Sequence, residues 1–239
     1  MEMSGARKTK FSIFIAFCFL FSFCSHTDKA MADTAVDRGP SLRLAILPFQ
    51  SIFPADLQKG SVESPLTGAI FDAVKPSGNP EGALEEEFLE YLGKNRPDLT
   101  VIAGERVAAV FRNVSTSSMK ISLRSALMET GKQLGADLAV VGYLYRFREL
   151  QGESFSAEKP ASVAFEIVVL RTDNGADVWR GIFDRTQRSL LENLFQFSSF
   201  YHGKGRWLKA GELARQGLEE VMKSFPPFPQ QLKTENFTR

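Results

Sequence analysis

Cysteine is almost missing from this chain. The two it has, Cys18 and Cys24, both fall in the first 24 of 239 residues. Everything after them is without a disulfide, a thiolate metal site or a cysteine nucleophile. Histidine is equally scarce: His26 and His202 are the only two, and a three-histidine zinc site is excluded by that count. No run of Lys and Arg is present. The 29 basic and 28 acidic residues are spread along the chain, so no nucleic-acid partner is expected. Nor is there an apolar run of the roughly 20 residues that a membrane-spanning helix requires.

What is present begins with a leader. Arg7, Lys8 and Lys10 form a basic stretch, and Phe11 to Phe23 a largely apolar one without a charge. Ala30 and Ala32 then stand at the −3 and −1 positions of a signal-peptidase site. Residues 1–32 are therefore expected to be a signal peptide, with the mature chain starting at Asp33 in the periplasm. The alternative is lipidation of Cys24, which follows the apolar run as the cysteine of a bacterial lipobox does. Phe23 occupies the position where that motif has a small residue. The anchor, if used, would hold the protein at the outer membrane. Without the leader the balance is 25 basic (29 less Arg7, Lys8, Lys10 and Lys29) against 26 acidic (28 less Glu2 and Asp28).

Beyond a polar lead-in, residues 33–41, the pattern predicts one α/β domain over 42–225. Leu42 to Phe49 reads as a strand ended by Pro48. Residues 50–80, with four prolines and no sustained periodicity, read as a long loop insertion. A helix follows with Leu84, Phe88 and Leu92 on one face, stopped by Gly93 and Pro97. A short strand (LTVIAG) and a short helix (ERVAAVFRN) come next. Ser115 to Ser118 offer N-caps for a further helix with a stripe of Leu123, Leu127, Thr130 and Leu134, which Gly135 closes. Three strands are expected at Leu138–Arg148, Ser162–Arg171 and Asp177–Gln187, the last two joined by an Asn-Gly turn as an antiparallel hairpin. A helix over Leu208–Phe225 ends the domain, and residues 226–239 read as a disordered tail. The class is α/β (α+β): a mixed sheet with an antiparallel hairpin and helices packed on it.

Several short stretches carry a resemblance. AILPF (Ala45–Phe49), LGAD (Leu134–Asp137), LAVVGYL (Leu138–Leu144) and VVLRTDNGADVW (Val168–Trp179) occur in this order of elements. The arrangement resembles the fold of bacterial envelope proteins. These are the curli-secretion channel lipoproteins, the amino-terminal domain of the Tol–Pal propeller protein and the lipoprotein activators of penicillin-binding proteins. The resemblance spans Leu42 to Phe225 and implies a periplasmic or outer-membrane module that acts by binding and assembly. The channel members add membrane-spanning hairpins; no pair of roughly ten-residue alternating segments provides them here.

Catalytic motifs are hard to find. His202 has no G-x-S-x-G serine to serve. Lys204 and Arg206, in YHGKGRW, suggest an anion site at a helix start, but the P-loop spacing is missing. Glu85, Glu86 and Glu87 are consecutive on a helix, point in different directions and read as a solvated face. DNGAD has the wrong spacing for a calcium loop. Tyr143, Tyr145 and Phe147 are expected to alternate on one strand face and to pack beneath a helix, and Trp179 with Phe183 to lie in the core. No catalytic residue, metal ligand or cofactor is assigned.

The expectation is a non-enzymatic envelope protein that binds another envelope protein or associates with itself, touching a membrane only through a lipid on Cys24. Its alternative is a hydrolase or sugar-binding protein using Asp56, Glu63 and Asp72, because paired carboxylates at about 5 to 9 Å mark glycosidases. Aromatic residues are enriched at interface anchors. Phe53 and Phe71 in the long loop, with Phe197 and Phe200 in LFQFSSFY, are the candidate interface residues.

Overall fold

A computed structural model describes residues 41–55, 60–117, 121–153, 156–187 and 207–228. In chain order the elements are β1 (Leu42–Ile46), β2 (Gln50–Ser51), β3 (Ser61–Glu63), β4 (Ile70–Asp72), α1 (Pro80–Asn95), β5 (Leu99–Ile102), α2 (Glu105–Ser117), α3 (Leu123–Leu134), β6 (Leu138–Arg148), β7 (Gln151–Glu153), β8 (Ser156–Lys159), β9 (Ser162–Arg171), β10 (Asp177–Thr186) and α4 (Ala210–Met222). The main sheet runs β10-β9-β6-β1-β5, with β2 added beside β6. β1 is parallel to both β5 and β6, whereas β6, β9 and β10 are antiparallel. This is the mixed α/β sheet with an antiparallel hairpin that the sequence predicts.

The central strands are buried along almost their whole length because both faces are covered. That is why β6 and β9 read as near-continuous apolar runs. One face holds Leu44, Ile46, Phe165, Ile167 and Val169 against Leu84, Phe88 and Leu92 of α1 and Leu213, Leu218 and Val221 of α4. Fully burying one such side chain contributes about 1.5–3 kcal/mol. α4 lies close on β10: a Cβ on Gly217 would come within 2.6 Å of the Phe183 ring. The other face holds Ala45, Leu47, Val141, Tyr143, Tyr145, Val168 and Leu170 against Val107 of α2, Leu127 and Leu134 of α3, and Phe71 of β4.

Local chemistry fixes the helix ends. The Asn79 side chain accepts from Gly82 N at 3.3 Å, with Pro80 in the first turn of α1. α1 ends at Asn95, between Gly93 and Pro97, as expected. Its glutamates are only partly a solvated face: Glu85 accepts from Phe49 N at 2.9 Å and Glu87 from Arg215 Nε of α4 at 2.9 Å, while Glu86 is exposed. Ser115 to Ser117 belong to the last turn of α2, so they do not cap α3. The cap is Ser122, whose Oγ accepts from Ser125 N at 3.1 Å. Gly135 closes α3 in the left-handed region at φ 63°.

Two further readings need correction. Residues 50–80 are not a structureless loop: they hold β2 and the β3–β4 hairpin, and they bury Ser64, Phe71 and Ala73. The chain stays packed past residue 225, because Phe228 is buried edge-on against Phe225 at 5.1 Å. Arg96 holds that stretch, stacked over both rings at 5.0 and 5.4 Å and donating to Pro226 O at 2.8 Å. Residues 1–40 and 229–239, with the leader, Cys24 and most of the predicted tail, lie outside the described residues.

Candidate functional site

The most elaborate polar structure in the described residues sits beneath the β3–β4 hairpin. It is built on Glu166, a single carboxylate in the middle of the apolar strand SVAFEIVVLR, with no exposed surface. A charge placed there demands donors. Ser64 Oγ donates to Oε2 at 2.7 Å, Thr67 Oγ1 to Oε1 at 2.8 Å and the Tyr145 hydroxyl to Oε2 at 2.9 Å. Arg180 Nε, from the neighbouring β10, completes the set as an ion pair. Two of the four donors come from the turn between β3 and β4, so Glu166 fastens that turn to the sheet. The turn is closed by Ser64 N donating to Ala69 O at 2.7 Å and Gly68 N donating to Ser64 O at 3.0 Å, with Gly68 at φ 72°.

A second clamp is made possible by an irregularity in β6. The register of β6 against β9 shifts between Leu144 and Arg146, which makes Tyr145 an extra residue. Such a bulge turns the following side chains to the opposite face. Tyr143 and Tyr145 therefore stay on the face beneath the hairpin, and Phe147 packs on the face covered by α1 and α4 instead. The expected alternation of the three aromatics on one face fails for this reason. The bulge also turns Arg146 toward the hairpin: Nη1 donates to Asp72 O at 2.9 Å, Nε to Ser162 Oγ at 2.6 Å, and Nη2 pairs with Asp184. Ser162 Oγ is 2.6 Å from Thr186 Oγ1. Main-chain bonds from Ala73 N to Gly60 O and from Val74 N to Tyr145 O, both 2.9 Å, secure the hairpin ends.

Burial, with the charge of Glu166 adding to it, pushes the Tyr143 hydroxyl up to about 12. Tyr145 is raised further, by burial first. Both rings stay protonated through the neutral range, and Tyr145 acts as a donor to Glu166. The arrangement spends its polar groups on one another. Both Glu166 oxygens are occupied by donors of the chain itself, and the result is a clamp.

The interface candidates separate on this structure. Phe71 is a core residue: it is buried and stacked on Tyr145, ring centroids 4.0 Å apart and 7° from parallel. Phe53 is 38 % exposed, with Lys75 Nζ 5.5 Å from its ring centre. Phe197 and Phe200 lie outside the described residues, as do His202, Lys204, Arg206 and Asp56. Glu63 and Asp72 are at solvent-facing positions of the hairpin, in whose two strands Phe71 is the one buried residue. Of the five exposed large apolar residues among the described residues, three (Phe53, Ile70 and Val74) belong to the 50–80 segment, and Ile70 is 77 % exposed. Phe53 and Val74 emerge together, since Ile52 N donates to Leu144 O and Val74 N to Tyr145 O. Trp179 and Phe183 are buried in the core, as expected.

The sequence reading missed Glu166 and Arg146. A signal existed for each: a lone charge inside a run long enough to be buried on both faces needs a partner.

No family model and no curated protein matches the chain. Solved structures similar to it include the hypothetical protein CT253 from Chlamydia trachomatis, 15 % identical, covering 78 % of this chain and 96 % of that one at a TM-score of 0.43. Another is the lipoprotein GNA1162 from Neisseria meningitidis, 11 % identical over 77 % of this chain and 99 % of that one, TM-score 0.40. A third is the C-terminal domain of LpoB from Escherichia coli, 11 % identical over 62 % and 84 %, TM-score 0.34. LpoB is a penicillin-binding-protein activator lipoprotein, one of the groups whose fold the sequence resembles.

Proposed function

We propose that this chain is a non-enzymatic protein of the bacterial envelope that works by binding another protein, with Phe53, Ile70 and Val74 as part of the contact surface. One observation carries this reading. The segment 60–74 turns Ser64, Thr67 and the Asp72 carbonyl inward onto Glu166 and Arg146 and leaves Ile70 and Val74 exposed beside the outward-facing Glu63 and Asp72. A segment held this firmly is a pre-organised surface, and pre-organisation lowers the ordering cost of association. Large exposed apolar residues gathered in one segment are a mark of interaction sites. The leader supports an envelope location, with export and cleavage after Ala32 as the processing route and lipidation of Cys24 as its alternative. Intact mass distinguishes them: a chain starting at Asp33 supports the first, and a diacylglyceryl adduct on Cys24 the second.

The test of the surface is a photo-crosslinking residue placed at Ile70 in intact cells, with the same residue at Glu105 of α2 as the control. The reading expects a discrete adduct from Ile70 that Phe53→Ser and Val74→Ser weaken while the melting temperature holds. Equal labelling from both positions contradicts it. The carboxylate-dependent hydrolase has no comparable support, because Glu63 and Asp72 stand in the open on the hairpin.

A further inference from the structure

The sheet ends differently on its two sides. β5 is a four-residue edge, whereas β10 offers ten residues, and among the described residues nothing pairs with its outer side. A long open edge is a template for another strand unless something blocks it. Which groups it offers follows from the ladder. Gln187 N donates to Ala161 O at 2.9 Å, so these two form a hydrogen-bonded pair. The register continues through Arg185↔Val163, Phe183↔Phe165 and Gly181↔Ile167. Antiparallel pairs alternate, so these β10 residues point their N–H and C=O groups at β9. Arg180, Ile182 and Asp184 point theirs to the open edge. Their side chains share the face opposite the one that buries Trp179 and Phe183, and Ile182 is 44 % exposed.

We propose that β10 pairs antiparallel with β10 of a second copy of this chain, about a two-fold axis through Ile182. The occupant follows from charge. With Ile182 opposite its own counterpart, Arg180 of each copy falls opposite Asp184 of the other, so both charged positions meet the opposite sign. Cross-strand pairs of opposite charge stabilise an antiparallel ladder, and like charges would oppose it. Edge strands that avoid pairing are blunted by charged side chains, prolines or bulges; the irregularity of this strand is confined to its start, between Asp177 and Trp179, and Arg180 and Asp184 beyond it carry opposite signs that attract a copy. Arg180 and Asp184 each have a partner within the chain, Glu166 and Arg146, yet their side chains keep 35 % and 43 % of their surface in water. The pairing adds about six main-chain hydrogen bonds, two for each of the three outward-facing pairs, and it joins two sheets into one. It uses a different strand from the Phe53 surface and stands whether or not that surface binds a partner.

The test uses the full chain with Cys18→Ser and Cys24→Ser, which leaves no other cysteine. Opposed Cα atoms in a hydrogen-bonded pair lie about 5.5 Å apart, within the range a disulfide spans. Ile182→Cys should oxidise to a covalent dimer, and Val101→Cys on β5, also exposed, should not. Light scattering should give a multiple of the single-chain mass for the unsubstituted protein. Ile182→Lys, which puts like charges on the axis, should lower it at an unchanged melting temperature. A single-chain mass for the unsubstituted protein overturns the proposal. So does an assembly that Ile182→Lys leaves intact and in which Ile182→Cys crosslinks no better than Val101→Cys.

Discussion

Both faces of the sheet are apolar, but what lies over them is fastened differently. Beneath α1 and α4 the packing is aliphatic and aromatic, from Phe88 and Leu92 to Trp179 and Phe225. Beneath the β3–β4 hairpin the apolar core continues, but the hairpin itself is fixed by Glu166 and Arg146. Its apolar share is small: the strands are three residues each, Phe71 is the one buried among them, and Val62, Leu66 and Ala69 pack half-buried against the same core. An isolated hairpin that small is marginal in water. Apolar burial is non-directional and tolerates some rearrangement. Hydrogen bonds to a buried charge fix one geometry, because each donor left over costs free energy. The helix face provides stability, and the clamp provides position.

The largest expected effect is on the helix face. Trp179→Ala removes a buried indole that packs edge-on against Phe225 at 4.8 Å and should lower stability by about 3–5 kcal/mol in a denaturant melt. A loss below 1 kcal/mol would break the comparison, because the apolar face would then not carry the fold. Glu166→Gln comes next, at about 2–3 kcal/mol, since one side of the amide turns N–H groups toward donors. Arg180 is partly in water and recovers some of its loss. Tyr145→Phe takes one hydroxyl from the same carboxylate and should cost about 1 kcal/mol.

Alkali separates the faces without mutation. Tyr143 has its folded-state value raised to about 12 from 10.0, by burial first, and Tyr145 is raised in the same direction. Between those two values the unfolded chain has released tyrosine protons that the folded chain retains. Their contribution is therefore complete below pH 10 and is lost as pH rises toward 12 and beyond. Melts across that window should show stability falling with pH, and Tyr143→Phe should flatten the fall. The smallest effect belongs to the outer surface: Phe53→Ser and Ile70→Ser should each change stability by no more than about 0.5 kcal/mol.

The same contrast explains what the sequence reveals. Strands buried on both faces announce themselves, and β6 and β9 lie where Leu138–Arg148 and Ser162–Arg171 predict them. Gly135 signals its left-handed cap because few other residues tolerate it. The hairpin gives no such signal: Ser61–Glu63 is too short for an alternation, and Ser64 and Thr67 look like ordinary turn residues until Glu166 is set beside them. The bulge at Tyr145 is invisible for a related reason, since a pattern of period two cannot announce its own interruption. Ser115 and Ser122 are equally good caps by composition; only the packing of Val114, buried in the last turns of α2, decides between them.

The central claim is that Glu166 fixes the position of the hairpin while the helix face carries the fold. Amide hydrogen exchange on the unsubstituted protein and on Glu166→Gln tests it directly. The account predicts faster exchange at Ser64, Gly68 and Ala73, whose N–H groups close the hairpin, with the amides of β1 and α1 protected as before. Unchanged protection at those three residues, or an equal loss across β1 and α1, would contradict it.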